Sequence, residues 1–247
     1  MSKVASAAGS AHRTPTNPRG LKDLPFEVPG VTDAQKRRAR RLARALIEAY
    51  PDAHCELDAA CPHELLIATI LSAQTTDVGV NKATPGLFRA FPEPADYAKS
   101  TPEQIEPYIK TLGFFRSKAK SVHAAMTALV QDHAGQVPSS MDELLRLRGV
   151  ARKTANVVLG NAFDINDGFV VDTHIMRLAW RFDLIDEDER DDPKKVERKL
   201  VALFPRAQWC RLSHCIIWHG RRACPARGAR AHEHPICKGF GVHCPKG

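Results

Sequence analysis

The apolar residues of this chain recur every three or four positions, and no other sequence feature constrains the fold as strongly. This spacing is typical of one face of an α-helix, whereas a half-buried strand alternates every second residue. A helix is also expected after Thr75 and Thr76, and Pro85 is expected to end or kink it. The pattern therefore predicts an all-α fold with helices over 32–50, 62–71, 102–109, 116–133, 141–147, 152–162, 173–182, 193–204 and 207–219. Capping boxes are predicted at Thr32–Gln35 and at Ser140–Glu143.

Composition and charge narrow the class of protein. The chain has 247 residues, of which 43% are hydrophobic and 26% charged, and this composition excludes a wholly disordered chain. The longest apolar run, Leu65 to Leu71, is too short to cross a bilayer, so no membrane partner is expected. Residues 1–31 read as a flexible basic leader without a secretory signal, which indicates a cytoplasmic protein. The net charge of +8 favours an anionic partner, with nucleic acid as the leading candidate.

Residues 144–159 combine the end of a short helix, a turn at Gly149 and a second helix. So tight a turn leaves the backbone N–H groups of residues near 149–153 at a helix N-terminus, which suits a phosphate of a nucleic-acid backbone. A packing turn between two helices is the alternative interpretation. Lys153 lies in the first turn of the second helix, where the helix dipole favours the neutral amine, the form that attacks carbonyl-like carbons.

A carboxylate follows the hairpin at Asp172, after an apolar run and before the helix that begins near Thr173. Backbone N–H groups and the helix dipole would hold it ionised at the N-cap. A plain helix cap is one interpretation. The other is a catalytic carboxylate that acts as a base for Lys153 or stabilises a developing cation.

Several segments together resemble endonuclease III-type DNA glycosylases of the helix-hairpin-helix superfamily. They follow one another in family order from about residue 33 onward: Leu66–Asp77, Val80–Thr84, Tyr108–Gly113, Ser117–Ala119, Leu147–Val158, Val171–His174 and Trp218–Arg221. The resemblance implies a two-lobed fold with a C-terminal iron–sulfur loop. It implies one helical bundle over 55–164, which contains the hairpin, and a second, discontinuous domain over 32–54 and 165–247.

The resemblance also assigns roles residue by residue. Lys153 stands at the Schiff-base nucleophile and Asp172 at the catalytic carboxylate. Gln74 stands where the family fills the gap left by an extruded base, and Phe114 stands where a Leu usually wedges beside the partner base. The DNA-binding residues expected from it are Gln74, Phe114, Gly149, Val150, Ala151, Arg152 and His174. Arg148 and Ala151 replace the usual Pro and Gly, and Ala151 could cost about 1 kcal/mol if its position needs a positive φ.

The cysteines are the least regular part of the match. Seven Cys without an export signal indicate metal ligands or buried thiols rather than disulfides. Where the family usually has C-x6-C-x2-C-x5-C around a [4Fe–4S] cluster, this chain offers Cys224, His234, Cys237 and Cys244. The expected cofactor is therefore a [4Fe–4S] cluster held by three Cys and one His. Alternatives are another fourth ligand (His232, His243 or Cys215), a zinc ion bound by the same set, or loss of the cluster.

The expected function is base-excision repair by a monomeric, nucleoid-associated enzyme. Its partner would be duplex DNA with damaged pyrimidines or abasic sites, from which it excises oxidised pyrimidines and then cleaves the strand by β-elimination through a lysine Schiff base. Two alternatives are a purine-directed, mismatch adenine glycosylase and a non-catalytic helix-hairpin-helix DNA-binding module. Lys153 argues against the first, since monofunctional relatives lack it, and the pair Lys153 and Asp172 argues against the second.

Overall fold

A computed structural model describes residue 21, residues 24–227 and residues 233–245. Most of the predicted leader lies outside these residues. The described part contains no strand and twelve α-helices: α1 Asp33–Ala49, α2 Pro62–Leu71, α3 Asp77–Ala90, α4 Pro94–Lys99, α5 Pro102–Ile109, α6 Phe115–Asp132, α7 Met141–Arg146, α8 Arg152–Ala162, α9 Thr173–Arg181, α10 Pro193–Leu203, α11 Trp209–Arg222 and α12 Pro235–Phe240. None of these helices is long and apolar enough to span a membrane. The predicted all-α class is confirmed.

The chain divides into two compact units. The first unit contains Glu56–Ile165, with helices α2 to α8. The second unit is discontinuous, because it combines the described residues of Thr16–Cys55 and of Asn166–Gly247, with helices α1 and α9 to α12.

The core of the first unit is built around α2. All its residues from Leu65 to Leu71 are buried, so this helix has no solvated face and serves as the central element. It packs against α3, α6 and α8. These neighbours contribute Val80, Val122, Met126 and Val158 to the same apolar cluster.

The core of the second unit forms on the apolar face of α1. Its buried residues Ala39, Leu42, Ala43 and Leu46 follow the predicted helical spacing, and α1 packs against α10, α11 and α12. Thr32 and Gln35 form the predicted capping box at the start of this helix. Trp209 of α11 is fully buried, and its indole N–H donates to the carbonyl of Phe204.

Three local details differ from the expectations. Helix α3 does not end at Pro85 but continues to Ala90, because burial of Leu87 holds the turns that follow the missing hydrogen bond. Ser140 starts α7 without a side-chain cap bond, so the capping box predicted there is wrong. Helices α4 and α12 were not expected, since six residues that begin with a proline are too few to show a period.

Candidate active site and metal centre

The hairpin between α7 and α8 turns at Gly149. Its φ is +84°, a left-handed conformation that glycine adopts without strain. A Cβ there would lie 2.9 Å from the Cβ of Ser121 on α6 and 3.4 Å from a methyl group of Ile70 on α2. Conformation and close packing therefore both require glycine at this turn.

The residues that follow Gly149 lead directly into α8. Val150 is buried, and its N–H donates to the carbonyl of Leu147, so this amide is engaged inside the hairpin. Ala151 is the N-cap with φ −96° and ψ 169°. The suspected need for a positive φ at Ala151 is therefore wrong, because the turn takes its left-handed residue at Gly149 alone. Ala151 has no side chain that could accept a hydrogen bond from the first amides of α8.

Lys153 lies in the first turn of α8 and its side chain is exposed. Arg152 beside it is half-buried. The next residues, from Thr154 to Leu159, are buried and fix the helix against α2. The exposed amine of Lys153 therefore lies on a well-packed helix that directly follows the turn at Gly149.

Asp172 is the N-cap of α9 in the second unit. Its Oδ1 accepts a hydrogen bond of 2.8 Å from the N–H of Ile175, and the residue is half-buried. Two residues further, Nδ1 of His174 accepts from the guanidinium of Arg177 at 3.2 Å. Burial lowers the pKa of His174, which keeps its ring neutral. Asp172 is thus held by the helix that it caps through Oδ1. Its second carboxylate oxygen, Oδ2, can accept a proton or face a positive charge.

Gln74 and Phe114 share an uncommon backbone conformation. Their φ angles are 53° and 57°, although neither is glycine. Both side chains are exposed, and that of Phe114 is 70% exposed. Residues held in this region cost free energy and concentrate at functional sites. The two residues expected to enter DNA are therefore both presented by a strained backbone.

Lys118 is a residue that sequence reasoning did not single out. It is only 6% exposed, and its ammonium donates to the hydroxyl of Thr75 at 2.5 Å. Burial lowers the pKa of this lysine. Its place in the apolar register of α6, one position before Ala119 and four before Val122, is the signal that could have indicated it.

The described C-terminal cysteines converge on one point of the second unit. The sulfur atoms of Cys224, Cys237 and Cys244 all lie within 4.8 Å of one another. Hydrogen bonds from Cys237 and Cys244 lower the pKa of Cys224 to about 2, and the bond to Cys224 raises the pKa of Cys237. Such a set of thiols suits a metal that accepts several thiolates.

A buried arginine supports the first of these thiols. Arg181, at the end of α9, is 7% exposed and donates to the sulfur of Cys224 at 2.9 Å. The same guanidinium nitrogen donates to the carbonyls of Cys224 and Pro225. A fixed positive charge and several donors therefore hold this part of the loop and favour ionised sulfur.

Two imidazoles approach the cysteine group at Cys237. Donor atoms of His219, His234 and Cys237 lie within 4.8 Å of one another. His219 is fully buried, with one ring nitrogen 2.8 Å from the hydroxyl of Tyr50 and the other 3.2 Å from the sulfur of Cys237. Nδ1 of His234 accepts from the N–H of Ile236 at 3.2 Å and caps α12. Both ring nitrogens of His219 have a partner, whereas Nε2 of His234 has none among the described residues. His234 is therefore the imidazole that could bind a metal.

The other candidate fourth ligands have different surroundings. Cys215 is buried in the core of the second unit and contacts the carbonyl of Tyr50. His243 stacks on Trp180 with ring centroids 3.9 Å apart. His232 lies outside the described residues. Neither Cys215 nor His243 belongs to the described groups of converging ligand atoms.

Comparison with known proteins identifies the family. The HhH-GPD superfamily of base excision DNA repair proteins matches residues 67–206, which is more than half of the chain. Endonuclease III of Synechocystis sp. is 47% identical over 194 residues, which cover 78% of this chain and 87% of that protein. The chain belongs to the endonuclease III family. Endonuclease III of Escherichia coli K12 is 40% identical over 195 residues, which cover 78% of this chain and 90% of that protein.

Solved structures agree with this assignment. A trapped endonuclease III–DNA covalent intermediate, an estranged-adenine complex, matches with a TM-score of 0.78 and 37% identity, covering 85% of this chain and 95% of that one. A thermostable thymine-DNA glycosylase with 20% identity and a TM-score of 0.70 shows the same fold. The predicted family, the helix-hairpin-helix glycosylase fold and the class of base-excision DNA glycosylase with AP lyase activity are confirmed.

Proposed function

We propose that this member of the endonuclease III family excises oxidised pyrimidines from duplex DNA with Lys153 as its nucleophile. The observation that carries the proposal is the exposed amine of Lys153 on the first turn of α8, directly after the uncapped hairpin turn at Gly149. An amine in this position attacks C1′ of an extruded nucleotide while the hairpin amides hold the neighbouring phosphates. The damaged nucleotide must leave the stack for this reaction, because C1′ is out of reach inside the duplex.

The proposed reaction has two bond-breaking stages. Lys153 Nζ bonds to C1′ as the bond between C1′ and the base breaks, and the base leaves with a proton. Transfer of a proton from Nζ to O4′ opens the sugar ring and gives the imine. Loss of a C2′ proton to water then breaks the bond between C3′ and the 3′ oxygen, which leaves with the phosphate by β-elimination, and water finally hydrolyses the imine and frees Lys153. Asp172 takes up the proton of Lys153 or stabilises the positive charge that develops at C1′, and its free Oδ2 suits both tasks.

The proposed DNA contacts fall into two kinds. Gly149, Ala151 and Arg152 form the hairpin surface that positions the phosphate backbone without reading sequence, and Val150, which is buried with its N–H bonded to Leu147, supports the turn beneath it. Gln74 and Phe114 enter the base stack, Gln74 in place of the extruded base and Phe114 beside its former partner. We also propose that His174 contacts DNA next to Asp172, and that the protein acts as a monomer associated with the nucleoid.

We propose that Cys224, Cys237, Cys244 and His234 hold a [4Fe–4S] cluster. Convergence of three thiols, with Arg181 donating to one of them, supports this fit. Nε2 of His234 would be the ligand atom, and Nδ1 would then carry the ring proton, so the hydrogen bond that it now accepts from Ile236 would be lost. When bound, the cluster supplies the cross-link that ties α12 to α11. Iron and zinc analysis of protein purified without oxygen distinguishes the cluster from a zinc site.

Borohydride trapping tests the proposed function. Reduction should link the protein covalently to duplex DNA that contains an abasic site, since it captures a Schiff base. Lys153→Gln should abolish this trapping and leave DNA binding intact. Lys120→Gln is the matched control, because it removes the positive charge of an exposed lysine on α6 that has no proposed contact with DNA, and it should still be trapped. Equal trapping of the Lys153→Gln protein would refute the assignment of the nucleophile. Duplexes with single defined lesions, including mismatched adenine, would then establish the substrate.

A further inference from the structure

Lys118 occupies an unusual position for a charged side chain. It is 6% exposed on α6, and within the described residues no carboxylate forms an ion pair with its ammonium. Buried lysines normally have such a partner, because desolvation of the ammonium is costly. Its polar contact is instead the hydroxyl of Thr75. A buried cation with a neutral partner needs an explanation other than stability.

Lys118 contacts both segments that carry the left-handed residues. Its backbone N–H donates to the carbonyl of Phe114 at 3.0 Å and makes the first hydrogen bond of α6. Its ammonium donates to Thr75, the residue that follows Gln74. Thr75 is in turn bonded through its N–H to the carbonyl of Ser72, at the end of α2. One residue therefore spans the turn at Gln74 and the start of α6 at Phe114.

We propose that Lys118 is a positioning residue that couples Gln74 and Phe114, so that both are presented to DNA together. This inference rests on the proposed insertion of these two side chains into the base stack. Each left-handed residue is disfavoured in isolation and persists only where the surrounding structure holds it. The ammonium of Lys118 provides that restraint at the Gln74 turn, and its backbone provides it at Phe114. Loss of the ammonium should release the turn and leave the fold and the chemistry at Lys153 intact.

The test compares Lys118→Met and Thr75→Val, which keep the side-chain volume and remove the two partners of the hydrogen bond. Base extrusion is followed by stopped-flow fluorescence of a base analogue opposite the lesion, and excision by single-turnover kinetics. Each variant should slow extrusion on the order of tenfold, as expected for a displaced positioning group. The double variant should be no slower than either single one, because both remove one interaction. Strand cleavage at a preformed abasic site should change much less.

Lys120→Met is the matched control, because it removes an exposed lysine from the same helix and should leave extrusion unchanged. The decisive measurement introduces Lys118→Met into the Gln74→Ala/Phe114→Ala enzyme, which lacks both inserting side chains. Lys118→Met should have no further effect in that background if Lys118 acts through these residues.

Other outcomes would overturn the proposal in distinguishable ways. An equal loss of rate from Lys118→Met with and without the two inserting side chains would show that Lys118 acts elsewhere. Wild-type extrusion by Lys118→Met would show that the coupling does not exist. Wild-type extrusion by Gln74→Ala/Phe114→Ala would refute the insertion role, and the coupling with it, while Lys153 trapping would still report on the proposed nucleophile.

Discussion

The hairpin of the first unit and the cysteine loop of the second unit, from Cys224 to Cys244, both follow a helix, yet they are held by different means. The hairpin turn depends on backbone conformation, through Gly149 at φ +84° and tight packing on Ser121. The cysteine loop depends on side chains, through the convergence of Cys224, Cys237 and Cys244 and the donors of Arg181. The hairpin turn therefore needs only the packed core beneath it, whereas the cysteine loop needs a metal that binds its thiolates.

This difference determines how each region should respond to change. A turn defined by φ angles tolerates changes of pH, metal and redox state, and it fails when a Cβ is added. A loop defined by thiols tolerates most changes of backbone, and it fails when a ligand or the metal is lost. Four predictions test this comparison.

The largest effect is expected for Cys237→Ala. Cys237 belongs to both groups of converging ligand atoms, so its loss should expose the second unit to local unfolding. Hydrogen exchange should show loss of protection in α9, α11 and α12, with α2 and α8 still protected. Cys210→Ala, on α11 of the same unit but outside those groups, is the control and should exchange like the wild type. Equal loss of protection in both units would contradict the comparison.

A smaller effect is expected at the fourth ligand. His234→Ala should speed the loss of iron to a chelator on the order of tenfold or more, because one iron loses its protein ligand. His234→Cys should retain the cluster and lower its reduction potential, since imidazole ligands raise that potential relative to thiolate. His243→Ala is the control, because its ring stacks on Trp180 outside the thiol group. Iron retention by His234→Ala equal to that of the wild type would assign the fourth ligand elsewhere.

Gly149→Ala tests the hairpin itself. The left-handed conformation should cost about 1–2 kcal/mol in the free energy of unfolding, and the contact with Ser121 adds to this cost. Gly135→Ala is the matched control, because Gly135 has φ +77° and nothing within 4 Å of a built Cβ. Urea unfolding should therefore show a greater loss at Gly149 than at Gly135. Equal losses would mean that the packing against Ser121 contributes nothing.

The smallest effect on stability is expected for Gln74→Gly. Relief of the left-handed strain and the added freedom of the unfolded chain oppose each other, so the free energy of unfolding should change by less than about 1 kcal/mol. Base excision should nevertheless slow, because the inserting side chain is gone. Ala134→Gly is the control, since Ala134 also has a positive φ, of 50°, and no proposed contact with DNA. It should show a similar change in stability with an unaltered rate of excision.

Local sequence rules were sufficient for much of this fold. The box of Thr32 and Gln35, the proline at the start of α2 and the apolar spacing of α1 each act within a few residues, so their helices could be predicted. The same holds for the hairpin, where Gly149 interrupts an otherwise continuous helical pattern.

Interactions between distant residues could not be predicted. The bond from Lys118 to Thr75 joins residues 43 positions apart, and the bond from Tyr50 to His219 joins residues 169 positions apart. No spacing rule specifies the positive φ of Gln74 or Phe114, because packing forces these residues into a conformation that they do not prefer. Packing likewise placed the left-handed residue at Gly149 rather than at Ala151.

The discontinuity of the second unit also sets an order for events on the ribosome. Helix α1 leaves the ribosome before the later helices of its unit, and much of the apolar cluster that buries Leu42 and Leu46 comes from α9 to α12, more than a hundred residues later. The first unit is complete once Ile165 has emerged. It can therefore fold during synthesis while the apolar side of α1 is still exposed and available to chaperones. Completion of the second unit waits for Cys244, the last of the three converging cysteines in chain order. Translation thus delivers the hairpin at Gly149 before it delivers the last of the three converging thiols.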